Sequence, residues 1–191
     1  FYGVDNPPAA YMNNTSVLIN MMEFVISMMI RLRDYAKVVE RSATHDQLTN
    51  CKNRRAMQWV YDTEFDKEQS MMVVMCDLNG LKKINDLQGH LEGDAVLKKT
   101  AYLINECFPR KAYRFGGDEF VVLSVDVKEA SFIKQVEQSK KYLEQNGISC
   151  SVGVSWCYNI NDVDKLIKEA DTKMYENKAN FYENEMVGIE S

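Results

Sequence analysis

Between Pro8 and Gly80 the chain contains neither proline nor glycine, so nothing in the backbone chemistry of that stretch compels a helix to stop. Its first half carries a seven-residue apolar repeat. Leu18, Val25, Leu32 and Val39 recur in one register, with Met21, Met28 and Tyr35 three residues further on, giving about three heptads of a and d positions. A long helix is expected there, with Asn14 or Thr15 as its N-cap. The seam suits parallel pairing of two chains; burial of the same residues on the chain's own domain is the competing explanation. Ile19, Met22, Ile26, Met29 and Ile30 extend the apolar surface to a second side, as expected of a helix that also meets a domain upstream. The apolar run from Val17 to Ile30 includes Asn20, Glu23 and Ser27 and is shorter than the ~20 residues of a membrane span. No span is expected from it.

From Thr44 onward the periodicities alternate. Helices are expected over Asn53 to Glu68, Lys82 to Leu87, Glu92 to Phe108, Ala130 to Gln145 and Val163 to Asn177. Strands are expected over Met71 to Cys76, Ala112 to Phe115, Phe120 to Val125 and Ser149 to Cys157. This alternation predicts an α+β sandwich, a mainly antiparallel central sheet covered by helices. At 191 residues and 46% hydrophobic content the chain holds one ordinary domain plus an appendage.

The net charge of −5 and pI near 5.2 argue against general attraction to nucleic acid, whose phosphates favour basic partners. A nucleotide would have to be held locally. Cys51, Cys76, Cys107, Cys150 and Cys157 are odd in number and lack C-x-x-C spacing. They read as small, buried, reduced residues of a cytoplasmic protein. The chain starts without an initiator Met or a basic leader and is expected to be part of something longer.

Four separated motifs carry chemistry. Arg114-Phe115-Gly116-Gly117-Asp118-Glu119-Phe120 places two glycines and two acids at a strand–turn–strand junction. Glycine permits close backbone approach to a ligand, and carboxylates supply the hard oxygens that Mg²⁺ takes beside a nucleotide. Asp77-Leu78-Asn79-Gly80-Leu81-Lys82-Lys83-Ile84-Asn85-Asp86, followed by Gly89-His90-Leu91-Glu92-Gly93-Asp94, begins with a carboxylate at the end of a buried strand. Asp46-Gln47-Leu48-Thr49 with Asn53-Arg54 reads as a capped helix start joining the long helix to the domain. Ser151-Val152-Gly153-Val154 and the helix Lys165 to Lys178, with Ala170-Asp171 and Tyr175, close the set.

Together these motifs resemble the GGDEF family, the diguanylate cyclases, over nearly all of residues 46–180. The resemblance implies the palm-like nucleotidyl-cyclase fold, preceded by residues 1–45 as the end of a GAF-like sensor plus a signalling helix and followed by a tail at 181–191. It implies a dimeric, Mg²⁺-dependent enzyme, with Mn²⁺ as an alternative ion, that condenses two GTP into cyclic di-GMP. It places the metal at Asp77, the Leu78 carbonyl, Asp118 and Glu119. Asp118, Glu119 and Lys82 are the implied catalytic groups, with Asp118 as the general base unless a metal-bound hydroxide takes the proton. Asn85 and Asp94 read guanine, His90 sits near the nucleotide, the amides of Gly116 and Gly117 meet phosphates, and Lys178 reaches the β- and γ-phosphates.

Departures from the family pattern are also informative. Asn79 replaces a common acid, and Gly80-Leu81 an aromatic-rich pair. Tyr182 stands where a second basic phosphate ligand is common, predicting weaker GTP affinity. Cys107-Phe108-Pro109-Arg110 lacks the R-x-x-D product-binding motif, which predicts no product feedback through that site. A GTP-binding module that does not turn over and a purely dimerising scaffold remain the alternatives.

Overall fold

The computed structural model describes residues 9–63, 65, 69–159 and 162–189, with side chains described from Asn14 to Glu183 within those ranges. The GAF-like opening lies outside the described residues. The chain divides into two compact units, residues 1–42 and 43–191.

The first unit consists of most of helix α1, Ala9–Thr44. The helix starts five residues before Asn14, so neither Asn14 nor Thr15 is its cap; Ala9, Ala10 and Met12 are good helix formers and carry the helix back toward Pro8. Leu18, Val25, Leu32 and Val39 are 48–59% exposed, so the single chain leaves the heptad seam uncovered. The segment Asn14–Thr44 contains a window of mean hydropathy 1.4 and is long and apolar enough to cross a membrane. Length and composition alone do not indicate insertion, and no span is assigned to it.

The second unit runs β1 (Lys52–Asn53), α2 (Arg54–Thr63), β2 (Met71–Leu78), α3 (Leu81–Gln88), α4 (His90–Cys107), β3 (Ala112–Arg114), β4 (Glu119–Val125), α5 (Glu129–Gln145), β5 (Cys150–Cys157) and α6 (Val163–Ile189). One five-stranded sheet has the order β1-β3-β4-β2-β5. The β1–β3 pair is parallel, and the pairs β3–β4, β4–β2 and β2–β5 are antiparallel.

Central β2 is buried at all eight positions, as a strand covered on both faces must be. Its side chains alternate between two cores. Met72, Val74, Cys76 and Leu78 join Leu97, Ile104, Phe132 and Leu143 of α4 and α5. Met71, Val73 and Met75 join Met57 of α2 and Leu166, Ala170 and Met174 of α6. Asp77 is next in the odd series, so the pleat directs it to the α6 face. There α6 lies unusually close to β5, since a Cβ on Gly153 would stand 2.0 Å from the Ala170 carbonyl and 2.3 Å from the Met174 amide.

Within this unit the largest departures from the expected elements are at β1, α2 and α6. Two-residue β1 is too short to leave a periodic signal. Helix α2 ends at Thr63 rather than near Glu68. Helix α6 continues beyond Asn177 to Ile189, with no Pro before its end and Gly188 only in its last turn. Lys178 and Tyr182 consequently share one helix, and the expected tail is helical through Ile189. All five cysteines are free; Cys51, Cys76 and Cys150 are buried and the other two half-buried.

Candidate active site

The site forms where β2 ends between two antiparallel neighbours. Register places Asp77 opposite Glu119 of β4 on one side and opposite Ser151 of β5 on the other. Asp118 adjoins through the backbone, its carbonyl accepting the Leu78 amide at 3.1 Å. Sequence separates Asp77 from Glu119 by 42 positions; the β2–β4 ladder makes them neighbours on one face.

Lys178 reaches this point from α6. Its Nζ lies 2.7 Å from Asp77 Oδ1 and 2.8 Å from Oδ2, to which it donates a hydrogen bond. Oδ1 is buried and meets the ammonium as an ion pair rather than in hydrogen-bond geometry. Burial raises the Asp77 carboxyl above its ordinary value, with Asp118 adding and Lys178 opposing. Glu119 is raised in the same way by burial, then by Asp77, Asp118 and Asp171. For Lys178, burial alone would lower the ammonium, but the bond to Asp77 and the nearby negative charge hold it above its usual value.

A divalent cation fits the charge of this arrangement. Carboxylates crowded together and pushed up by burial and by one another's charge are the groups a hard cation stabilises. Among the described residues, no three His, Cys, Asp or Glu side chains are already gathered as a complete ligand set. Backbone oxygens or ligand phosphates would have to complete it.

Gly116 and Gly117 lie in the turn between β3 and β4. Neither has positive φ, so a left-handed turn is not the reason for glycine. At Gly116 a Cβ would lie 2.6 Å from Glu119 Oε2; the missing side chain makes room for the carboxylate. The Gly116 amide donates to the Glu119 carbonyl at 3.3 Å and is engaged within the hairpin. Gly117 is exposed, with nothing within 4 Å of a Cβ.

Arg114 locks this turn to the start of the domain. Its Nε and Nη2 donate to the Gly117 carbonyl at 3.2 and 2.6 Å, while Nη1 donates to Asp46 Oδ1 at 2.8 Å. The same oxygen accepts the Thr49 amide at 2.8 Å and the Thr49 hydroxyl at 2.6 Å. Asn53 caps α2 by accepting the Ala56 amide at 2.9 Å and donates to the Ala43 carbonyl at 2.9 Å. Arg54 covers the Phe115 ring, 4.3 Å from its centroid. The sequence reading quoted Arg114 without giving it a role; its place beside the glycines, with an acid in the D-x-L-T motif, was the available signal.

The remaining sequence-predicted residues lie on α3, α4 and α6. Lys82 is exposed, Asn85 and Asp94 are half-buried, and His90 is exposed at the first residue of α4. Asn85 is seated on Gly93, where a Cβ would stand 1.9 Å from Asn85 Oδ1. The Asn79 amide side chain links Ser151 of β5 with Ser149 just before it, donating to Ser149 Oγ at 3.0 Å and accepting from Ser151 Oγ at 2.7 Å. An aspartate could not make the donating bond, so the substitution has a structural account.

Comparison with known proteins bears on the same residues. The family model "Diguanylate cyclase, GGDEF domain" matches residues 43–183. Diguanylate cyclase A of Treponema denticola is 26% identical over 180 residues, which cover 84% of this chain and 48% of that protein. Diguanylate cyclase DgcN of Escherichia coli is 30% identical over 164 residues, covering 78% of this chain and 40% of that protein. The chain thus spans about half or less of the curated relatives it matches. In fold, it resembles the crystal structure of the coiled coil and GGDEF domain of DgcB from Caulobacter crescentus in complex with c-di-GMP. That likeness has a TM-score of 0.75 at 22% identity, covering 85% of this chain and 95% of that one.

Proposed function

This chain belongs to the GGDEF family, and from that premise we propose that it is the catalytic output domain of a cytoplasmic diguanylate cyclase. Two GTP are condensed to cyclic di-GMP with release of two pyrophosphates. The observation that carries this reading is the triad Asp77, Glu119 and Lys178, set in register at the end of β2 beside Asp118.

Each chain holds one GTP, and two chains face each other. The 3′-oxygen of one nucleotide forms a bond to the α-phosphorus of the other, the α–β bridging bond breaks, and pyrophosphate leaves. Asp118 takes the proton of the 3′-hydroxyl, and Glu119 shares the negative wall opposite Asp77. Lys82 and Lys178 stand against the phosphates, where fixed positive charge offsets the charge that develops on them. Asn85 and Asp94 select guanine by complementary donors and acceptors; His90 borders the nucleotide. The Gly117 amide, rather than that of Gly116, is the one available to a phosphate from the turn.

Asp77, the Leu78 carbonyl, Asp118 and Glu119 hold the divalent cation, Mg²⁺ or Mn²⁺. When bound, the ion supplies neutralisation of the triphosphate. Dimerisation runs through the uncovered heptad seam of α1, which couples an upstream input to alignment of the two half-sites.

The test is incubation of the concentrated chain with GTP and Mg²⁺, products identified by mass spectrometry, beside Asp118→Ala. Cyclic di-GMP formed by the parent chain alone is the expected result. GTP bound but unchanged, even with α1 cross-linked into a parallel pair, would replace this reading with a regulatory GTP-binding module.

A further inference from the structure

β5 lies at one edge of the sheet, so alternate residues direct backbone groups away from β2 with no further strand to receive them. Helix α6 receives them instead. Asn177 Oδ1 accepts the Val152 amide at 3.1 Å, and Lys173 Nζ donates to the Val154 carbonyl at 2.8 Å. Between these two bonds the α6 backbone lies against Gly153. One residue further along, Ser155 Oγ donates to the Leu166 carbonyl at 2.7 Å. Residues 152, 153, 154 and 155 of β5 are thus each engaged by α6, which runs antiparallel to the strand.

The series leads to the candidate active site. Val152 stands opposite Cys76 and Ser151 opposite Asp77, so Asn177 is fastened one step of the register away from Asp77. The next residue on the helix is Lys178, whose Nζ lies 2.7 and 2.8 Å from the two Asp77 oxygens. A lysine side chain is a flexible four-carbon stem, so the place its ammonium can hold depends on where its backbone is held. Among the described residues Asn177 is the last on α6 to bond β5. Asparagine is also one of the poorer helix formers, and it sits well inside Val163–Ile189. The bond to the edge amide offsets that local cost.

We propose that Asn177 is a positioning residue, fixing α6 to the edge of β5 so that Lys178 is held where it meets the phosphates of the bound nucleoside triphosphate. Lys173 supports it from the preceding turn. The proposal rests on the reading of GTP as substrate. Asn177 touches neither nucleotide nor cation and acts only through Lys178.

The test measures binding of guanosine 5′-(α,β-methylene)triphosphate and of GMP, by calorimetry with Mg²⁺, to the parent chain, Asn177→Leu, Lys178→Met and the double variant. Leucine keeps the volume and removes the acceptor. Loss of one neutral hydrogen bond predicts about fivefold weaker triphosphate binding, with GMP affinity changed less than about twofold. In the Lys178→Met background the Asn177 substitution should weaken triphosphate binding by less than about twofold, because the residue it acts through is gone. In turnover, Asn177→Leu should raise KM for GTP more than it lowers kcat. Lys173→Met, at an exposed position, should show the same selective loss more weakly; if Asn177→Leu loses its thermal transition, Lys173→Met and its own cycle with Lys178→Met decide the question. Equal losses for GMP and triphosphate, no loss for either ligand, or an undiminished loss in the Lys178→Met background would overturn the assignment. A parent chain that binds neither guanine nucleotide would remove the GTP reading itself, and this inference with it.

Discussion

Arg114 and Asp46, 68 positions apart, are joined by a 2.8 Å ion pair, and the same guanidinium holds the Gly117 carbonyl. One side chain thus connects the segment that follows the long helix with the turn carrying Asp118. Burial pushes the Asp46 carboxyl up, but bonds from Thr49 and Arg114 outweigh it and hold it below its ordinary value of 3.8.

Replacing Arg114 with methionine keeps much of its volume and removes these bonds. A loss of about 1.5–3 kcal/mol is expected, in the range for hydrogen bonds to charged groups, measured by urea unfolding. Because the folded value of Asp46 is depressed, its contribution is complete above about pH 4 and disappears as pH falls through the folded value. The gap between parent and variant should therefore be constant from about pH 7 to 5 and narrow below about pH 4. Activity should fall more than stability accounts for, because the turn loses its anchor.

Glu119 is raised by burial and by the charges of Asp77, Asp118 and Asp171, and Asp77 by burial and by Asp118. Their ionisation at neutral pH opposes folding, and the strain is relieved as pH falls toward their folded values. Glu119→Gln should raise Tm by on the order of 1–3 °C at pH 7 without divalent cation, while abolishing product formation. Added Mg²⁺ should raise the Tm of the parent chain more than that of the variant. A variant no more stable than the parent would contradict the electrostatic account.

Gly93→Ala separates stability from recognition. A Cβ there would strike the far end of the Asn85 side chain at 1.9 Å, which can swing away at little cost. Alanine also favours the helix over glycine by about 1 kcal/mol. The variant should be as stable as the parent or more so, yet bind GTP less tightly and discriminate less against ATP. Competition binding with the two nucleotides measures this directly.

Gly153→Ala should behave in the opposite way. Its Cβ would meet backbone atoms of Ala170 and Met174 at 2.0 and 2.3 Å, and these cannot move without shifting α6 off the sheet. A cost of at least ~2 kcal/mol is expected, seen in urea unfolding, with activity falling because Lys178 moves with the helix.

The local sequence determined the elements that periodicity controls. The unbroken stretch after Pro8 specified α1, and the apolar run at Met71 specified a buried strand because both faces of β2 are covered. The pairing of acids with glycines at residues 116–119 marked the turn, and family resemblance named its chemistry. Only tertiary structure decided which distant residues meet. The β2–β4 register sets Asp77 against Glu119, and the pleat turns Asp77 toward α6. The extension of α6 past Asn177 brings Lys178 to Asp77 and Tyr182 to Gly80. The role of Gly116 was equally hidden, since it depends on where the Glu119 carboxylate folds rather than on backbone angle. Short-range chemistry fixes helix, strand and turn because those states depend on neighbours within a few residues. Partnerships across 42 to 102 positions depend on strand register and on how closely a helix approaches the sheet, and these arise only when the whole core assembles.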